Sequence, residues 1–95
     1  MIIEQIRIGN KTAVGLQWEM GNASLLIIKA DKGFVMCGYL NIETANKLGD
    51  VAAVVSGVST FDDVLKAPLK AVSENAQKLG IKEGITGKEA LELMY

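Results

Sequence analysis

Residues 12–29 decide the fold and read Thr12-Ala-Val-Gly-Leu-Gln-Trp-Glu-Met-Gly-Asn-Ala-Ser-Leu-Leu-Ile-Ile-Lys29. The first half alternates, with large apolar side chains at every second position, which is the period of a half-buried strand. The members of that apolar row are Val14, Leu16, Trp18 and Met20. Gly21-Asn22 is a two-residue turn signal, and Ala23–Lys29 follows as another strand. Leu25–Ile28 is apolar throughout, which predicts a strand covered on both faces.

The pattern extends to a strand on either side of this hairpin. Residues 2–8 are rich in isoleucine and end at Gly9-Asn10, a break in the run. After the turn at Asp31-Lys32-Gly33, Phe34–Tyr39 forms a further apolar strand. Four strands joined by tight turns predict an antiparallel β-meander.

A crossover follows the meander. Asn41 is a natural N-cap for a short helix over residues 42–48, and Gly49 ends that helix. Val51–Val55 reads as a fifth strand. Since this strand returns to the sheet after a helix, we expect it to lie parallel to a neighbour.

The remaining chain is predicted to be helical. Thr60 with Asp63 opens a second helix, and Pro68 suits the first turn of a third one. The face of that third helix would be Leu69, Val72, Ala76 and Leu79. Thr86 with Glu89 forms a capping box before a final helix. We therefore predict a single domain over residues 1–95 of the α+β class, with C-terminal helices packed on the sheet.

Composition excludes several kinds of chemistry. The chain has no histidine, so a histidine cannot activate a serine or cysteine nucleophile within it. One cysteine cannot supply the ligands of a zinc site that lacks imidazole. A binding protein is thus favoured over an enzyme, and we expect no metal and no cofactor.

Charge and hydropathy indicate the partners. The net charge is −1 and no basic face is evident, so nucleic acid is not an expected partner. No apolar run is long enough to span a bilayer, and one unpaired cysteine without a signal peptide predicts the cytoplasm. Hydrophobic residues make up 49% of this short chain, and its mean hydropathy is +0.26. We therefore expect a homo-oligomer, in which another subunit covers part of the apolar surface.

Four motifs follow one another in a distinctive order. They are Gly33-Phe34-Val35-Met36-Cys37-Gly38, then residues 56–65, then Ala67-Pro68-Leu69, then Leu79-Gly80-Ile81 with residues 84–91. In order and spacing they resemble the YunC-like family, a small domain of unknown function found in bacteria and archaea. The resemblance covers nearly the whole chain; it implies an α+β fold and no activity.

Cys37 is the one strong nucleophile in the chain. It could act as a thiolate at the end of a strand, near the start of the helix that follows Asn41. Lys29 or Lys32 would then supply the positive charge that stabilises the thiolate. The favoured interpretation is a small buried side chain that fills the core.

The loop after the fifth strand is the second candidate site. Ser56, Gly57, Ser59 and Thr60 run from a strand into the start of a helix, where free N–H groups and hydroxyls cradle anions in other proteins. The alternative is an ordinary turn whose hydroxyls cap the helix, and this alternative is favoured because no phosphate-binding fingerprint is present.

Acidic and aromatic residues offer weaker candidates. Asp62 and Asp63, joined by Asp31 or Glu43, could bind a cation, but acids in a first helical turn more often complement the helix dipole. Trp18 and Tyr39 would line an interface or pocket, or anchor the core. Two function classes remain: a non-catalytic homo-oligomeric module that binds a small ligand or a partner protein, and a small thiol-dependent enzyme or redox protein using Cys37.

Overall fold

One six-stranded sheet organises the computed structural model, which describes residues 1–95. Its strands are β1 (Ile2–Ile8), β2 (Lys11–Glu19), β3 (Ser24–Lys29), β4 (Gly33–Met36), β5 (Val51–Val54) and β6 (Ala71–Val72). The helices are α1 (Ile42–Leu48), α2 (Phe61–Lys66), α3 (Glu74–Lys78) and α4 (Gly87–Glu92). The strands lie side by side in chain order. All neighbours are antiparallel except β4 and β5, which are parallel because α1 carries the chain back between them.

The predicted α+β class is confirmed, whereas the prediction of five strands was wrong. The sixth strand occupies the beginning of what the sequence predicts as a helix after Pro68. Proline fixes φ and lacks an N–H, and here Pro68 forms an isolated bridge with Thr86 instead of starting a helix. The backbone N–H of Lys70 donates to Val54 and that of Ser73 to Ala52, which aligns β6 beside β5. Helix α3 therefore begins only after Ser73, whose hydroxyl caps it.

One face of the sheet, which we call the helix face, carries the main core. Direct cross-strand partners lie on the same face of a sheet. Gly15 pairs with Ile28, Ile28 with Val35 and Val35 with Ala53, so these residues all lie on the helix face. Helices α2, α3 and α4 contribute side chains to the same cluster of 16 buried residues. The helical members of that cluster are Val64, Ala76, Ala90 and Leu91. This face is closed within one chain.

Small residues on β2 let a helix approach the helix face. A Cβ on Gly15 would lie 2.6 Å from Ile6 Cδ1 and 2.7 Å from Phe61 Cε1, so any side chain there would require these two to move. Ala13, on the same face, is 1% exposed. The sequence pattern identified the alternation of β2 correctly, but the side of β2 that the helices cover is the one with the small residues.

The opposite side, which we call the open face, carries the large apolar residues of β2. The partners Ile3, Leu16, Ile27 and Met36 form one row across it. Helix α1 covers the β4–β5 end of that row, where Ala45 packs with Met36 and Ala52. No helix covers the end formed by β1, β2 and the start of β3, and Ile3 is 65% exposed there.

The helices are all short, and none has the length and apolar character needed to cross a membrane.

Candidate functional site

Cys37 lies immediately after β4, where it continues the pairing with β3. Its backbone N–H donates to the carbonyl oxygen of Leu26 at 2.9 Å, and its Sγ accepts from the N–H of Leu26 at 3.3 Å. The sulfur also lies 3.9 Å from the carbonyl oxygen of Ser24, which is a weak contact. The residue is 5% exposed, and it belongs to the main core cluster. The thiol is thus held as part of the sheet, in line with the favoured interpretation of Cys37 as a buried side chain.

The two candidate sites of the sequence meet in one cavity. A pocket of about 340 Å³ lies between the segment after β4 and the segment after β5. It is lined by Ala23, Ser24, Cys37, Gly38, Tyr39, Ser56, Gly57 and Val58. Cys37 is its one fully buried lining residue, while Gly38, Tyr39, Ser56 and Gly57 are exposed. We call this cavity the strand-end pocket.

The loop predicted to cradle an anion divides into two parts. Ser56 and Gly57 line the strand-end pocket, whereas Ser59 and Thr60 belong to the cap of α2. Thr60 Oγ1 accepts from the N–H of Asp63 at 3.1 Å, and the N–H of Ser59 donates to Asp63 Oδ2 at 3.0 Å. The Asp63 carboxylate and the Thr60 hydroxyl therefore already accept hydrogen bonds that an anion would use at this helix start.

The lysines proposed to stabilise a thiolate lie elsewhere. Lys29 and Lys32 flank the β3–β4 turn, at the opposite end of β4 from Cys37. Lys29 Nζ donates to the carbonyl oxygen of Ala30 at 3.0 Å. No lysine or arginine lines the strand-end pocket, so the structure places no positive side chain beside the sulfur.

The acidic candidates are not brought together. Asp62 pairs with Lys66 at 2.9 Å, and this hydrogen bond and its charge raise the pKa of Lys66. Asp63 caps α2. Asp31 lies near Tyr95, where burial first and the Asp31 charge second raise the pKa of the phenol. The structure contains no group of three or more cysteine or acidic side chains arranged to hold a metal.

The aromatic candidates are surface residues, not core anchors. Trp18 is 53% exposed and Tyr39 is 49% exposed. Trp18 belongs to the open face, opposite Leu25. Tyr39 lies between two cavities, because it also lines an apolar groove of about 350 Å³ that runs beside α1 to Leu48. Leu48 is 72% exposed, so the apolar surface continues from the open face onto α1.

Sequence reasoning missed Ala23, Ser24 and Val58 as lining residues of the strand-end pocket. A signal for Ser24 was present. The turn at Asp31-Lys32 fixes the register of β3 and β4, so residues at equal distances before and after it face each other. This register places Ile27 opposite Met36, as observed, and its extension places Ser24 opposite Tyr39. No comparable signal marks Val58, because its place depends on how the loop after β5 turns towards α2.

Three comparisons relate the chain to known proteins. Residues 36–94 match the sequence model of a domain of unknown function, DUF1805. The uncharacterized protein YunC of Bacillus subtilis (strain 168) is 38% identical over 77 residues, which cover 77% of this chain and 76% of YunC. The crystal structure of TA1206 from Thermoplasma acidophilum, a protein of unknown function, superposes with a TM-score of 0.95 at 45% identity. That alignment covers 99% of this chain and 92% of TA1206.

Proposed function

We propose that this chain, which belongs to the DUF1805 family, is a non-catalytic homo-oligomeric binding module that works in the cytoplasm. Its subunits join through the open face. The proposal is argued from the geometry, because the relatives described above have no stated activity. The observation that carries the proposal is the row of large apolar side chains that this face leaves uncovered. Ile3 is 65%, Val14 50% and Trp18 53% exposed. Soluble subunits rarely leave such side chains contiguous and uncovered.

The extent of the patch fits a second copy of the chain. Stable dimers take roughly 800 Å² from each partner. At about 100 Å² for each large, half-exposed side chain, the open face and the groove beside α1 provide on the order of 500 Å² of apolar surface. Polar residues of the same face, such as Gln5 and Thr12, lie beside this apolar surface and would add to the contact.

The charges of the open face also suit a two-fold pair. On β1–β3 its charged side chains are Arg7 and Lys29, at one end of the strands, and no carboxylate lies among them. If a two-fold axis perpendicular to the strands relates two copies packed face to face, the strands of one copy run antiparallel to those of the other. The basic ends of the two copies would then lie far apart, so like charges would not meet.

Sedimentation of the purified protein across a concentration series tests this proposal. We expect an oligomer at micromolar concentration, and we expect Trp18→Glu to weaken association at least tenfold, because it places a charge in the apolar patch. Leu93→Glu is the matched control: Leu93 is a 42% exposed leucine just after α4, on the helix side of the sheet, and its replacement should leave association unchanged.

Fluorescence gives an independent reading of the same equilibrium. Trp18 is the single tryptophan of the chain, so its emission should shift to longer wavelength as dilution separates the subunits. A particle that stays monomeric at about 100 μM, or an equal loss of association in both variants, would overturn the proposal.

The alternative class, a thiol-dependent enzyme or redox protein, is supported by one observation: Cys37 lines the strand-end pocket. Its burial and the absence of a lysine from the pocket lining favour the binding module instead. Iodoacetamide at neutral pH separates the two classes. The binding module predicts labelling of Cys37 only after denaturation, whereas a catalytic thiol predicts rapid labelling of the folded protein.

A further inference from the structure

The strand-end pocket lies where the chain leaves the two parallel strands of the sheet. Residues Cys37 and Gly38 follow the carboxyl end of β4, and Ser56 and Gly57 follow that of β5. Since β4 and β5 are adjacent and parallel, both ends meet at one edge of the sheet. Every other neighbouring pair of strands is antiparallel, so this juxtaposition occurs once in the fold.

The two departing segments diverge to opposite faces of the sheet. The segment after β4 leads into α1, which packs on the open-face side through Ala45 against Met36. The segment after β5 leads into α2, which packs on the helix face through Phe61 and Val64. When the connections of adjacent parallel strands separate in this way they leave a crevice between them, and in open α/β sheets ligands bind in crevices of this kind. The strand-end pocket is that crevice.

Its lining offers hydrogen-bonding groups without charge. The backbone N–H and C=O groups of Gly38, Tyr39, Ser56, Gly57 and Val58 take no part in backbone hydrogen bonds within the chain. The serine hydroxyls of the lining and the Tyr39 phenol add groups that both donate and accept. None of the lining residues is an aspartate, glutamate, lysine or arginine. No charged side chain of the lining would therefore offset the loss of water by an ionised ligand.

We propose that the strand-end pocket binds a small, uncharged, flat heterocycle whose ring edge carries both hydrogen-bond donors and acceptors. The unpaired backbone groups at the rim match such an edge. The half-exposed ring of Tyr39 and the apolar Ala23 and Val58 provide the walls that its flat faces contact. The volume of about 340 Å³ is at the small end of the range for ligand sites and suits one or two fused rings. The inference does not depend on self-association, because the pocket lies within one chain.

A nuclear magnetic resonance titration of the ¹⁵N-labelled protein with uracil tests the proposal, with inorganic phosphate as the charged comparison. Uracil should shift the amide signals of Gly38 and Gly57 saturably, with a Kd of about 1 mM for a fragment of this size. Gly38→Val should weaken this binding at least tenfold. A Cβ on Gly38 meets no atom within 4 Å and Gly38 does not have a positive φ, so valine adds bulk at this lining position without strain in the fold.

Two control variants locate the effect. Lys32→Val introduces a valine near the opposite end of β4 and should leave uracil binding unchanged. Trp18→Glu should still bind uracil saturably, which separates this inference from the proposed assembly. Saturable uracil shifts that persist in Gly38→Val would show that uracil binds outside the strand-end pocket. Shifts with phosphate alone would refute the proposal that the ligand is uncharged. No shift with either probe would refute the binding site itself.

Discussion

The two faces of strand β2 differ in a way that reverses the usual expectation about large and small residues. On the helix face β2 presents Ala13 and Gly15, and these positions are buried. On the open face it presents Val14 and Trp18, and these are about half exposed. Small side chains mark the face that another element of the same chain approaches closely, whereas large ones mark the face that intramolecular packing leaves uncovered. The size of a side chain on a strand therefore indicates how closely another element of the chain approaches that position, as well as how buried it is.

The largest expected difference between the faces comes from two adjacent leucines of β3. Leu26 is fully buried on the helix face, whereas Leu25, the partner of Trp18 on the open face, is half-buried and contacts only the margin of the main core. We expect Leu26→Ala to lower the free energy of unfolding by about 3 kcal/mol, because it leaves a cavity, and Leu25→Ala to lower it by about 1 kcal/mol at most. Denaturant unfolding at protein concentrations low enough to separate the subunits measures both, and it leaves Trp18, the cross-strand partner of Leu25, in place. Equal losses would mean that the two faces are equally closed within one chain.

Adding volume tests the same contrast in the opposite direction. Gly15→Val should destabilise the protein by about 2 kcal/mol or more, since its side chain would overlap Ile6 and Phe61. At the neighbouring position, Val14→Phe adds bulk on the open face. It should change the free energy of unfolding of the separated subunit by less than about 0.5 kcal/mol. The measurement is again the midpoint and slope of denaturant unfolding. A mild Gly15→Val would show that α2 does not press on β2 as described.

The smallest expected effect concerns the helices that close the helix face. The backbone N–H of Thr86 donates to Glu89, and the Thr86 hydroxyl does so too; both lower the pKa of the Glu89 carboxyl. A group whose pKa is lowered by folding stabilises the protein above its unfolded pKa, and this contribution is lost as the pH falls through the folded value. Glu89→Gln should therefore be slightly less stable than the parent protein at neutral pH, and the gap should close in acid. A gap of the same size at neutral and at acid pH would contradict this prediction.

Much of the fold follows from local signals. The glycine- and aspartate-containing turns set the register of the meander, and the Asn41 and Thr86 caps start their helices where the sequence predicts. Strand β6 could not be predicted, because it has two residues and its segment shares the three- and four-residue spacing of a helix. The backbone pairing of Lys70 and Ser73 with β5 outweighs that spacing.

The candidate site was only partly predictable. The sequence identified Cys37, Ser56 and Gly57 separately, and a parallel pairing of the strands before them would already bring the two segments to one edge. The sequence does not show that α1 and α2 pack on opposite faces, since that choice depends on tertiary contacts such as Phe61 over Gly15. The division of the Ser56–Thr60 loop also depends on the Asp63 carboxylate turning back to Ser59.

Tyr39 is a wall shared by the strand-end pocket and by the groove beside α1. One aromatic ring cannot adopt separate orientations for its two sides, so an occupant that fixes it from the groove also sets the outline of the pocket. Thermodynamic linkage makes this relation mutual: whatever free energy one occupant contributes to the other is returned in equal measure. If a second copy occupies the groove and a small molecule occupies the pocket, this one side chain would link the two binding events.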